Sequence, residues 1–207
     1  DPARERLLGV VYTFSAYVLW GFLPLYFLAL APTGPWEVVG LRVVFSIIFC
    51  LVLLTLLRAW PRFLAVARNR RSLVLTAVAG VLVYVNWQIF LIGTLSGNVL
   101  ETSLGYFINP LFTVLLAVLV LRERLRITQW IALGIAGVAV AVIIVGYGTF
   151  PWIALSLAAS FSLYGLVKNR LGPSVDAVSG LTLETFWLLP IAIVQLVIVQ
   201  LTTGLTF

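Results

Sequence analysis

The chain has 207 residues, 62% of them hydrophobic and 10% charged, with a net charge of +6 and a mean hydropathy of +1.15. Soluble domains carry about 25% charged and 45–50% apolar residues, so this is an all-α integral membrane protein unless its apolar runs alternate. Histidine is absent and the one cysteine, Cys50, lies in an apolar run, which leaves no intrachain disulfide, no His-based triad and no expected metal or cofactor site.

The apolar runs are continuous, which excludes a barrel of alternating strands. Seven are long enough or nearly so to cross a bilayer as helices, about 20 residues being needed: 7–30, 37–57, 72–95, 102–121, 129–145, 152–167 and 178–200. The first imitates a signal peptide, with Arg4 and Arg6 before it and Ala29-Leu30-Ala31 after it. Its apolar stretch exceeds a secretory core of about 7–15 residues, so it reads as a retained helix. It carries Trp20-Gly21 and then Pro24, which frees the carbonyl of Trp20. The second holds Arg42, a cation at membrane depth, where charge is rare and faces a protein interior or a wet cavity. Glu37 and Glu101 sit at outer helix ends, near Arg42 in depth, and are its first expected partners; alternatively each favours a helix N-terminus or faces water.

The third span places Asn86, Phe90, Gly93 and Gly97 on one face, and the fourth does the same with Thr102, Tyr106, Asn109 and Thr113. Pro110 cannot donate to the carbonyl of Tyr106. Such freed groups at membrane depth are buried in protein or line water, so this helix reads as bordering a solute path, the alternative being a kink satisfied by neighbours. Gly134, Gly137 and Ala141 form a small-residue seam on the fifth span, which reads as close-packing scaffold. Ser156, Ser160 and Tyr164 share a face of the sixth, with Tyr164 either lining the path or anchoring at the interface. The seventh carries Glu184, Trp187 and Pro190. A carboxylate there is a functional group by default, here a coupling group that exchanges a proton, or else half of a structural ion pair.

The cations set the topology. Two precede the first span, five lie between the second and third, three between the fourth and fifth, and two between the sixth and seventh; Arg42 completes the 13. The intervening loops have none, which places the N-terminus in the cytoplasm and the chain in an inner membrane. This placement also argues against nucleic acid as the reason for the basic balance. Glu123, between Arg122 and Arg124, reads as local ion pairing. Asp1 is no natural start, so trimming is expected at the N-terminus and also at the C-terminus.

Two stretches echo each other, "LWGFLPLYF…EVVGLRVVFS" and "LYGLVKNRL…DAVSGLTLETF". The second begins at the sixth span, so a repeat unit holds five spans and its copy runs inverted, a pattern of secondary transporters with a midplane site. The units are 1–148, the first repeat, and 149–207, the start of an incomplete second.

The segments "WGFLPLYF", "NWQIFL", "GNVLETSLGYFINPL", "LRERLRITQWIALGIAGVAV", "FPWIALSLAASFSLYGL" and "GLTLETFWLLP" carry a resemblance. Across nearly all of residues 9–190 the chain resembles the RarD branch of the EamA family, in the drug/metabolite transporter superfamily. The resemblance implies ten helices in two inverted five-helix repeats, both termini cytoplasmic, and a central cavity between the repeats. It implies His-Arg in the second span; here the pair is Leu41-Arg42, so Arg42 matches and the histidine has no counterpart.

The expected function is a secondary transporter exporting small organic metabolites or drugs by proton-coupled alternating access, not an enzyme. Trp20, Asn86, Tyr106, Asn109, Tyr164 and Trp187 are its expected cavity residues. Glu184, Arg42, Glu101 and Glu37 are its charge or coupling groups, and Pro24, Pro110 and Pro190 its hinges. The partners are the lipid bilayer and a small-molecule substrate, with a homodimer left open. The alternative is a membrane assembly subunit that carries nothing.

Overall fold

The computed structural model describes residues 2–122, 125–148, 150–172 and 175–206. The pairing expected at Glu123 lies outside the described residues. Eight helices form among them: α1 (Pro2–Ala29), α2 (Pro35–Leu56), α3 (Trp60–Arg68), α4 (Arg70–Leu95), α5 (Val99–Val120), α6 (Ile127–Tyr147), α7 (Trp152–Leu171) and α8 (Ala177–Thr202). Six are long and apolar enough to cross a membrane: α1, α2, α4, α5, α6 and α8.

The remaining long helix, α7, has 20 residues and so spans about 30 Å. Its serines and the terminal Lys168, Asn169 and Arg170 make it the least apolar of the long helices. It tolerates them by position: α7 packs between α4 and α5, burying Ile153, Ala154, Leu157 and Ala158. It runs four residues beyond the expected 167. The basic connection after α2 is also more ordered than its charge implies. Pro61 in the first turn of α3 starts a short helix that buries Val66 and leaves Arg62 and Arg68 exposed.

At the centre, α4 touches α7, α8, α2, α5 and α1, and α8 lies along α2. One core gathers Val39 and Val43 of α2, Val83, Tyr84 and Leu91 of α4, and Leu188 and Ala192 of α8. A second joins Leu104 and Ile108 of α5 to Ala154 and Ala158 of α7. Small residues set the closest approaches. A Cβ on Gly105 would lie 2.9 Å from Leu157 Cβ and 3.0 Å from the Ala154 carbonyl, and one on Gly80 would lie 3.0 Å from the Glu184 carbonyl. The seam expected on α6 behaves otherwise: a Cβ on Gly134 or Gly137 would meet nothing within 4 Å, because α6 packs chiefly along α5 and no described residue covers these two glycines.

The charged helix ends collect at one edge. Arg70 and Arg71 at the start of α4 share a cleft with Arg170 at the end of α7. Nearby, Asp176 caps α8 by accepting from the Ser179 amide at 3.1 Å. Burial alone would raise the Asp176 carboxyl, but the hydrogen bond from the Ser179 amide and the charge of Arg62 outweigh it and hold the carboxyl below its ordinary range.

Candidate functional site

Aromatic side chains from four helices form a connected line through the bundle. Phe27 of α1 meets Phe90 of α4 with ring centroids 6.1 Å apart. Phe90 meets Tyr106 of α5 at 5.9 Å, Tyr106 meets Phe161 of α7 at 6.2 Å, and Phe161 meets Tyr164 at 5.9 Å. Trp20 of α1 joins at Phe161, 6.2 Å away. All of these contacts but Phe161–Tyr164, which is tilted, are edge-on or nearly so, the arrangement that ring quadrupoles prefer.

A charged group stands near each end of the line. Phe27 lines a cavity of about 770 Å³ between α1 and α2, which Arg42 also lines. The Arg42 guanidinium carbon lies 3.9 Å from the Trp87 ring centroid, a cation–π stack from α2 to α4. At the other end the Tyr164 hydroxyl donates to Glu184 Oε2 at 3.2 Å, and Lys168 Nζ donates to Glu184 Oε1 at 2.7 Å. The Glu184 side chain is 2% exposed and that of Lys168 34%. Arg42 and Glu184 each stand seven residues into their helix from opposite edges, about 10 Å by helix rise.

Of the expected cavity residues, Trp20, Tyr106 and Tyr164 stand on this line. Asn86 does not. It is buried, and its amide nitrogen donates to the Leu157 carbonyl at 3.1 Å and to Ser160 Oγ at 3.0 Å, tying α4 to α7. Asn109 is half-buried and likewise faces α7: its side-chain oxygen accepts from Ser162 Oγ at 2.6 Å, with Thr113 Oγ1 3.1 Å from the same hydroxyl. The polar face of α5 therefore divides, Tyr106 toward the aromatic line and Asn109 into a helix contact. Trp187 is exposed on α8, beside Phe186, and its ring joins no aromatic of the line. Pro24, Pro110 and Pro190 all lie inside continuous helices.

The expected pairing of Arg42 with Glu37 or Glu101 does not form. Glu101 accepts from the Ile153 amide at 2.9 Å, an anion placed on the first turn of α7. Glu37 accepts from the Thr206 amide at 2.9 Å, with the Thr206 hydroxyl 2.9 Å from its other oxygen. Glu101 thus sits at a helix N-terminus, whereas Glu37 holds the chain that follows α8, and both are buried.

Several participants escaped the sequence reading. Trp87 and Phe161 are indistinguishable from core aromatics until their neighbours are known. Lys168 reads as a topology cation, yet its stem folds back along the α7–α8 corner to reach Glu184. Gln195, in the middle of an apolar run, carried a signal that was there to read. It accepts from the Tyr84 hydroxyl and donates to the Trp36 carbonyl at 2.5 Å, locking α8 to α4 and to the start of α2.

The family model of the EamA-like transporter family matches residues 7–145. Among curated proteins, the chain is 43% identical over 182 residues to Protein RarD of Streptomyces exfoliatus, covering 88% of this chain and 57% of that protein. It is 41% identical over 189 residues to an uncharacterized transporter of Vibrio cholerae, covering 91% and 62%. It is 37% identical over 194 residues to Protein RarD of Escherichia coli K12, covering 94% and 65%. The chain thus spans about three-fifths of the length of these relatives. No solved structure matches it.

Proposed function

The chain belongs to the EamA-like transporter family, in its RarD branch, and on that premise we propose that it carries small organic solutes across the membrane as a secondary transporter. Residues 1–148 form the first of two inverted repeats and 149–207 open the second, and the repeats rock about a site near the midplane. The N-terminus lies in the cytoplasm of a bacterial inner-membrane protein, transport runs outward, and a proton gradient drives it.

One observation supports this reading: a line of contacting aromatic rings with a charged group near either end, at opposite depths of the membrane. Helices held together only by packing need neither charge, and each is costly there. Glu184 is the coupling group. Deprotonated, it holds Lys168 and Tyr164 and so fixes α7 against α8. Protonated, it releases Lys168, and the two helices are free to shift.

The test uses the full-length protein in proteoliposomes with an imposed proton gradient and a mixed solute pool followed by mass spectrometry. Gradient-driven flux that Glu184→Gln uncouples from pH is the expected result. Flux with unchanged pH dependence in that variant overturns the coupling role. No flux of any solute by folded, oriented protein points to a subunit that carries nothing.

A further inference from the structure

Among the described residues Arg42 has no anionic partner. Its guanidinium lies against the face of Trp87, and stacking uses only that face. The five N–H donors lie in the guanidinium plane and remain available. Among the described residues none of them donates a hydrogen bond, and no carboxylate oxygen lies within 4.0 Å. The two carboxylates nearest in depth, Glu37 and Glu101, are engaged by Thr206 and by the start of α7. A charge about 10 Å into a membrane helix is tolerated where it faces a cavity. Arg42 does so, lining the cavity of about 770 Å³ with Tyr26, Phe27, Phe45 and Ser46. That volume falls within the range of about 300–1,000 Å³ typical of small-molecule sites.

We propose that this cavity binds an organic anion, a carboxylate on an apolar or aromatic body, with Arg42 as the residue that selects its charge. The guanidinium fork takes the carboxylate through two parallel hydrogen bonds, the geometry for which arginine is suited and lysine is not. Trp87 fixes the fork from behind. The body lies on the aromatic wall and leads to Phe27, from which the line of rings runs to Phe90 and Tyr106. A phospholipid phosphate offers Arg42 the same oxyanion chemistry. The continuity of the wall with the interior line of rings favours the solute, since a lipid held by its headgroup gains nothing from rings that run inward. This inference rests on the transporter reading and names the substrate class for it.

The test measures equilibrium binding by calorimetry with the full-length protein in phosphatidylcholine nanodiscs. Phenylacetate, phenylacetamide and phenethylamine are the probes, one body carrying negative, no and positive charge. Wild type is expected to bind phenylacetate about tenfold or more tightly than the other two, the scale of one charge-assisted pair. Arg42→Gln abolishes the preference. Arg42→Lys, which keeps a cation in the membrane and so guards against a folding failure, retains the sign of the preference but weakens it severalfold. Absence of phenylacetate binding, equal binding of all three probes, or a preference that survives Arg42→Gln overturns the proposal. So does displacement of phenylacetate from wild type by phosphatidylglycerol in the discs, which makes the site a lipid site. Gradient-driven flux of neutral or cationic solutes that Arg42→Gln leaves intact would refute the anion assignment while the transporter reading stood.

Discussion

Replacing Lys168 by methionine removes the cation but leaves the Glu184 carboxylate, 2% exposed, where it was. Breaking one partner of a fully buried pair costs about 3–5 kcal/mol, whereas an exposed pair contributes about 1 kcal/mol or less. Lys168 keeps a third of its side chain in contact with solvent, and Tyr164 still donates to the carboxylate at 3.2 Å. The cost of Lys168→Met should therefore fall between those limits, at about 2 kcal/mol. Removing both charges in Lys168→Met/Glu184→Leu takes the stranded carboxylate away and should return stability to within about 1 kcal/mol of wild type. Reversible unfolding in mixed detergent micelles, titrated with a denaturing detergent at neutral pH, measures all three. A single variant as stable as wild type would show that Glu184 does not depend on Lys168. A double variant no more stable than the single one would show that the loss came from lysine packing and not from the buried charge.

Gly105→Ala should cost about 1–3 kcal/mol in the same assay, because its methyl would press on Leu157 Cβ and the Ala154 backbone, which cannot rotate away. Gly134→Ala on α6, with nothing within 4 Å, is the control and should leave stability unchanged or slightly raised. Asp176 gives a pH prediction. Its carboxyl is held below the ordinary range in the folded protein, so its contribution is present above the unfolded pKa and is lost as pH falls through the folded one. The stability difference between wild type and Asp176→Asn should be largest near neutral pH and should vanish in acid; a difference that persists in acid would contradict the cap.

The corrections have a common cause. Polar residues in an apolar helix mark an interior face but not what lies opposite. Asn86 and Asn109 were legible as residues that need a protein or water environment, and they have one; α7 supplies it, with the Leu157 carbonyl, Ser160 and Ser162. The sequence could not distinguish such a helix contact from a solute path, because both satisfy the same hydrogen-bonding need. Arg42 was legible as an intramembrane cation. Depth alone points to Glu37 and Glu101 as its partners, but both carboxylates bond to backbone amides at their own edge.

The sequence by itself determined the membrane class, the helical spans, the alternation of charged and uncharged connections, and the positions that must avoid lipid. Each follows from the free energy of placing a side chain or backbone group in hydrocarbon, a property of residue type and spacing. Only the tertiary structure decided which polar groups satisfy one another, which aromatics align from Phe27 to Tyr164, and that Lys168 holds Glu184. These depend on which helices lie side by side, and helices far apart in the chain meet through small residues such as Gly80 and Gly105, whose role shows only when the opposing backbone is in place.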